Sequence, residues 1–432
     1  MQQTNTTDLV EQRVIRKVTM RIVPFLIACY FFAYLDRVNV GLAAFQMNDD
    51  IGISAAVFGF GSGIFFLGYF LFEVPSNLAL ERFGARRWIA RIMITWGILA
   101  ACMMFVRGAT SFAVLRFLLG AAEAGFYPGV ILYITYFFPA AYRGRIVAIF
   151  TMGVPLSLFL GSPVSTLLLQ MHGMFGLAGW KWMFLLEAVP SVLLGIACLW
   201  VLSDSPAKAP WLTDDERQWL ERRLADDRAA QPHHESRPVS RLLLDRKVLG
   251  FAFVYASISA AAVGLAVWQP QIIKSHGLTI LEAGFLNAVP YGSAVIAMLI
   301  WARMSDVSGR RLFYTLVPMA LTAAALASVS MIDTLSITIL ALSIAVMATY
   351  AYKGPFWAWA SENFSSGERA VVLAHVNAIG GLGSFLGSWM FGLVKGATGS
   401  YALGLMPIVA FIALAVLVAI CLASRPRIQQ TA

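Results

Sequence analysis

The chain has 432 residues, of which 59% are hydrophobic and 13% charged, with a mean hydropathy of +0.73. That is more apolar surface than a soluble fold of this length can bury, so the chain reads as a polytopic membrane protein. The net charge of +9 does not indicate nucleic acid, because the basic residues gather at the ends of apolar segments rather than on one solvated face.

Taken in order, apolar segments fall at 20–46, 56–80, 88–107, 110–138, 146–170, 181–203, 248–273, 281–303, 312–331, 335–360, 370–395 and 400–423. Each approaches or exceeds the roughly 20 residues that carry a helix across a bilayer. They form two sets of six and predict an all-α integral membrane fold of twelve transmembrane helices: a first half at 1–203, a cytoplasmic linker at 204–247 and a second half at 248–432. Within the linker, Asp214 to Asp227 reads as a short amphipathic surface helix capped by Thr213, with Trp211, Trp219 and Leu220 as its apolar contacts. The linker as a whole is expected to be no more than a solvated tether. Cys29, Cys102, Cys198 and Cys421 are scattered through apolar segments, so neither a metal-binding CxxC pattern nor a disulfide framework is expected. The polar first twenty residues and the long first span argue against a cleavable signal peptide.

Basic residues set the expected orientation, because positive loops stay in the cytoplasm. One side holds Arg13, Arg16, Lys17 and Arg21, then Arg82, Arg86, Arg87 and Arg91, Arg143 and Arg145, the linker run from Lys208 to Lys247, Arg303, Arg310 and Arg311, Arg369, and Arg425 and Arg427. The other side holds Arg107, Lys181, Lys274 and Lys395. Both termini are therefore expected in the cytoplasm. An internal repeat is also visible: Glu81-Arg-Phe-Gly-Ala-Arg-Arg87 follows the second span and Asp306-Val-Ser-Gly-Arg-Arg311 follows the eighth. Aligning Gly84 with Gly309 pairs Glu81 with Asp306, so one half is a parallel copy of the other around a central cavity.

Asp36 and Arg37 fall in the middle of the first span, where a charge costs at least about 2.5–3.5 kcal/mol and normally marks a transport path. In the fourth span Arg116 and Glu123 lie two helical turns apart on one face, about 10 Å along the axis. Crosswise pairing is expected, Asp36 with Arg116 and Glu123 with Arg37. A substrate carboxylate that takes Arg37 would leave Glu123 without its counter-charge and ready to bind a proton, so that anion and proton favour each other. The competing reading, a static pair that merely joins two helices, is disfavoured because buried ion pairs stabilise poorly.

At these residues the chain resembles the major facilitator superfamily. Glu81 to Arg87 resembles its cytoplasmic loop signature, and Arg116-Phe-Leu-Leu-Gly-Ala-Ala-Glu-Ala-Gly125 its fourth-helix signature. Tyr34-Leu-Asp-Arg-Val-Asn39, together with Trp180-Lys-Trp-Met-Phe184 before Glu187 and Pro190, is similar more narrowly to the anion:cation symporter family. Its members carry tartrate, phthalate, hydroxyphenylacetate, hexuronates, sugar acids and, in vesicles, glutamate. The resemblance implies proton coupling at Asp36 and Glu123, with Arg116 beside them, and carboxylate binding at Arg37. Glu81, Gly84, Arg86, Arg87, Asp306, Gly309 and Arg310 are assigned to gating, with a weaker latch expected in the second copy, which places Ser305 before its acid and lacks an arginine at 307.

Further substrate contacts are expected from Tyr34, Tyr69, Gln269, Trp357 and Asn377, the last because an amide binds a carboxylate or hydroxyl without adding a buried charge. His375 reads as helix packing, Lys353 either as a snorkelling lysine or as a second anion contact, and the glycines at 380, 381, 383 and 387 as close helix packing. The expected function is secondary active uptake of a small organic anion, proton-coupled, with the proton as coupling ion and no other cofactor. The anion stays open between an aromatic acid and a polyhydroxylated one such as tartrate or a sugar acid. The protein is expected as a monomer in a bacterial inner membrane. The alternative is a facilitator or antiporter of another small metabolite, which the midplane Arg37 disfavours. An enzyme is not expected, since no nucleophile–base pair, phosphate loop or metal-spaced cluster is present and His233-His234 is isolated.

Overall fold

The computed structural model describes residues 2–229, 242–329, 331 and 334–424. Among them are twelve helical segments long and apolar enough to cross a membrane. We number them α1 (Val10–Asp50), α2 (Ala55–Phe83), α3 (Ala85–Phe105), α4 (Ala109–Phe137), α5 (Ala140–Leu169), α6 (Gly179–Val201), α7 (Arg246–Lys274), α8 (Ile280–Ser308), α9 (Arg311–Val329), α10 (Leu335–Glu362), α11 (Val371–Thr398) and α12 (Tyr401–Ala423). His233, His234, Arg425 and Arg427 lie outside the described residues.

The packing repeats with a shift of six. In the first half α2 packs on α4, α3 on α6 and α1 on α5; in the second α8 packs on α10, α9 on α12 and α7 on α11. Between the halves α2 meets α11, α8 meets α5, and α1 meets α7. The chain is thus two six-helix halves related as the loop repeat implies.

Small residues set how closely the halves approach. A Cβ on Gly41 would meet the backbone carbonyl of Val267 at 2.7 Å, one on Gly59 that of Ser388 at 2.7 Å, and one on Gly284 the Thr166 hydroxyl at 1.8 Å. Trp268 fills the space beside them, 5.1 Å from the Phe58 ring and 4.5 Å from Phe391. These contacts all lie on the face away from the termini, which is therefore shut. Toward the terminal face, Tyr127, Tyr255, Trp357 and Asn377 keep partial exposure.

The linker departs from the expected tether. Its helix, Asp214–Ala229, is capped reciprocally by Thr213 and Glu216 and docks on the first half. Lys17 pairs with Glu216 at 2.5 Å, Asp227 accepts the Ala140 N–H at 2.7 Å, Trp211 stacks on Phe137, and Leu220 and Leu224 are buried. This also explains why helix continues upstream of the predicted start of the first span: Val14 and Val18 are buried on the same side. Outside the membrane spans, Glu216 titrates below its ordinary value; burial opposes this, but the bonds from Lys17 and Thr213 outweigh it.

Candidate substrate and proton site

The expected ion pair between Arg37 and Glu123 is present. Glu123 closes the first segment of α4, just before Gly125 with φ 86°, where a side chain would also strike the Ser76 hydroxyl at 2.3 Å. Only glycine permits that break, which points the carboxylate inward instead of continuing the helix. Arg37 lies 5.3 Å from the ring centres of both Tyr34 and Tyr69, with Phe65 at 5.4 Å and Phe66 at 6.0 Å. Four aromatic faces thus hold the guanidinium, yet its side chain remains 15% exposed against 1% for Glu123. The guanidinium keeps partial exposure and its Nε has no hydrogen-bond partner among the described residues, so donors remain available for a ligand.

The other half of the crosswise scheme is corrected. Asp36 does not pair with Arg116; its Oδ2 accepts the Trp96 indole N–H at 2.9 Å and the Ser191 hydroxyl at 2.6 Å. Adjacent helical residues diverge by about 100°, so with Arg37 turned to α4, Asp36 is turned to α3 and α6. Arg116 instead donates to the carbonyls of Arg37 at 3.3 Å and Ser62 at 3.2 Å. It reaches them because α2 and α4 are nearly in backbone contact: a Cβ on Gly120 would lie 1.9 Å from the Phe65 carbonyl. Arg116 also lies 4.9 Å from the centre of the Phe65 ring, one of the aromatics that cage Arg37.

Two acids complete the region. Glu187, named only within a motif, is buried, with Asn39 donating to it at 2.8 Å and Ser165 at 2.5 Å. Glu73, which the sequence reading missed, is half-buried one turn beyond Tyr69, beside Asn377 and within electrostatic range of Arg37. Its place four residues after Tyr69 on the same helical face was the available signal.

From the second half, Asn377 faces the interior and accepts from the Tyr255 hydroxyl at 3.5 Å, with Trp357 4.7 Å from the same ring. Gln269 does not join them. It is fully buried and donates to the Asn287 side chain at 2.9 Å, which in turn donates to Ser162 of α5 at 3.0 Å. It therefore tightens the shut face between the halves. His375 is half-buried.

The loop glycines behave as read: Gly84 (φ 87°) and Gly309 (φ 65°) adopt conformations that disfavour other residues. The ionic partners differ. Among the described residues no ion pair joins Glu81 to Arg86 or Arg87; Asp204, after α6, accepts the Arg86 backbone N–H at 3.1 Å. In the second copy Arg311, not Arg310, carries the bridge, to Asp306 at 2.5 Å and Glu362 at 3.4 Å, while Arg310 stacks near Phe313. The second copy thus has the ion pairs, the reverse of the expected weaker latch. Among the described residues neither loop bonds across the halves, as fits a terminal face that is open.

Two repeated half-bundles, shut on one face around an ionised centre reachable from the other, define a multi-pass membrane transporter of the alternating-access kind. A family model described as the Major Facilitator Superfamily matches residues 26–388. The chain belongs to that superfamily, and its transport role excludes an enzymatic one. It is 48% identical over 427 residues to a protein of Agrobacterium vitis named "Putative tartrate transporter", covering 99% of this chain and 95% of that one. It is 37% identical over 396 residues to an Acinetobacter baumannii protein named "Quinolone resistance transporter", covering 91% of each. Among solved structures, a bacterial homologue of the lysosomal transporter Spinster, inward-facing and occupied, aligns with a TM-score of 0.76 at 17% identity over 93% of this chain and 96% of that one.

Proposed function

We propose that the protein takes up a small carboxylate together with a proton, with both termini in the cytoplasm of a bacterium and the chain acting as a monomer in the inner membrane. The observation that carries the reading is Arg37: a permanent cation between the halves, caged by aromatics, partly exposed, and ion-paired with Glu123. An arriving carboxylate competes with Glu123 for the same donors. Once displaced, Glu123 is a buried acid without a counter-charge, and protonation becomes its cheapest state. Substrate and proton then load together, and the neutralised centre can be carried through the exchange of faces. Asp36, held by neutral donors between α1, α3 and α6, is the second proton-binding group.

The close relative named for tartrate supports a short hydroxylated carboxylate, for which Tyr34, Tyr69 and Asn377 supply hydrogen-bonding groups. The density of arginine at the terminal face supports the cytoplasmic orientation. Uptake of a panel of carboxylates including tartrate into proteoliposomes, with and without an inward proton gradient, tests the reading. Accumulation of one panel member above the external concentration, only with the gradient, is expected. Equilibration without accumulation would favour a facilitator.

A further inference from the structure

Lys353 stands on α10, which by the six-helix shift is the counterpart of α4; the helix runs on through Tyr352 (φ −66°, ψ −26°), whose carbonyl accepts the Phe356 N–H at 2.9 Å. Lys353 is only partly exposed, and among the described residues its ammonium makes no ion pair or hydrogen bond; its recorded neighbour is the Tyr350 ring, at 4.6 Å. It also lies within electrostatic range of Arg37, so two cations, one from each half, face the same interior. Between them stand Tyr34, 5.3 Å from the Arg37 guanidinium, and Tyr350, whose buried side chain adjoins Tyr34. An unpaired lysine brought near an arginine inside a membrane protein bears both desolvation and like-charge repulsion. Packing does not require that arrangement; an anion that spans the two would relieve it.

We infer that Lys353 is the second anchor of a dicarboxylate site. One carboxylate of the ligand replaces Glu123 on Arg37, the other meets Lys353, and the Tyr34 and Tyr350 hydroxyls bond to groups on the carbons between. This rests on the organic-anion reading above and narrows it to dianions. Because Arg37 belongs to the first half and Lys353 to the second, such a ligand ties the halves together, whereas a monoanion held by Arg37 alone does not. The snorkelling alternative for Lys353 gives no reason for a dianion preference.

Uptake of tartrate and of its monoamide, the same skeleton with one charge removed, separates these possibilities in wild type, Lys353→Met and Lys353→Arg. Wild type should show a KM for the monoamide roughly 30-fold or more above that for tartrate, as expected when one buried charge contact is lost. Lys353→Met should raise the tartrate KM to the monoamide's and leave the monoamide KM near wild type. Lys353→Arg should keep the preference, which also reports that position 353 tolerates exchange. The inference is overturned if wild type does not prefer tartrate, or if Lys353→Met affects both substrates equally. Should wild type carry monocarboxylates but no dicarboxylate, the dianion site is wrong and the organic-anion reading stands; uptake of no carboxylate at all would remove both.

Discussion

The two halves share a helix plan but divide the chemistry unequally. The first buries Asp36, Arg116, Glu123 and Glu187 and holds the partly exposed Arg37, each with specific partners. The second presents mainly neutral groups toward the same interior, Tyr255, Tyr291, Tyr350, Trp357 and Asn377, with Lys353 as its charged contribution. Duplication therefore fixed the scaffold, and the mid-span charges were concentrated on one copy. A second contrast lies along the membrane normal. The face away from the termini is closed by glycine contacts, Trp268 and the Gln269–Asn287–Ser162 chain, while at the terminal face the repeated loops, among the described residues, bond within their own halves.

Removing the charge that defines the first half should have the largest effect. Arg37→Gln is expected to lower uptake of any carboxylate by about a hundredfold or more, since it leaves Glu123 buried without its partner and removes the anion's anchor. Arg116→Gln should be milder, because Arg116 bonds backbone carbonyls, that of Arg37 among them, and does not itself bond Glu123; a raised KM with intact proton linkage is expected in transport kinetics. Activity at the wild-type level in Arg37→Gln would erase the contrast between the halves.

The closed face gives the next effect. A Gly284→Val side chain cannot fit against Thr166, whose hydroxyl would lie 1.8 Å from the new Cβ, so the halves should be driven apart there. Labelling of a cysteine placed beside Trp268 should rise severalfold in that variant. Gln269→Leu is a smaller perturbation. It leaves the Asn287 carboxamide oxygen short of a donor, at a cost of about 1–3 kcal/mol, and should lower thermal stability while leaving substrate KM near wild type. A large KM change would restore Gln269 to the substrate site.

The smallest effect belongs to the linker. The Glu216 carboxyl titrates below its ordinary 4.5 because Lys17 and Thr213 favour its charged form against the cost of burial. A depressed acid stabilises the folded contact fully above its ordinary value and loses that contribution as pH falls through the lowered one. Docking of the linker helix should therefore loosen only in strong acid. Glu216→Gln should change stability by less than about 1 kcal/mol at neutral pH, as is usual for partly exposed pairs, measured by thermal unfolding in detergent.

The fold was legible because the bilayer makes hydrophobic length decisive: each span is an apolar run, and the repeat at Gly84 and Gly309 exposes the duplication. The Arg37–Glu123 pair was legible too, since few residue types put ionised groups mid-span. What the sequence withheld were rotations about helix axes. Asp36 and Arg116 are both buried, as anticipated, yet which way Asp36 turns depends on how α1 lies against α3 and α6, and Trp96 and Ser191 carry no mark of that in the sequence. Gln269 was misplaced for the same reason: an amide at midspan can line a cavity or join helices. Glu73 was passed over because an acid near the end of an apolar run resembles an interfacial residue. The linker's docking was hidden because Leu220 and Leu224 are few among many charges.

The central claim is that Glu123 takes up a proton when a carboxylate displaces it from Arg37. Its most direct test is to follow internal pH in proteoliposomes while tartrate, or whichever carboxylate the panel identifies, enters through wild type and Glu123→Gln. Wild type should acidify the lumen as substrate enters, and Glu123→Gln should still exchange substrate across the membrane but neither move protons nor accumulate it. Accumulation driven by a pH gradient in Glu123→Gln would contradict the account.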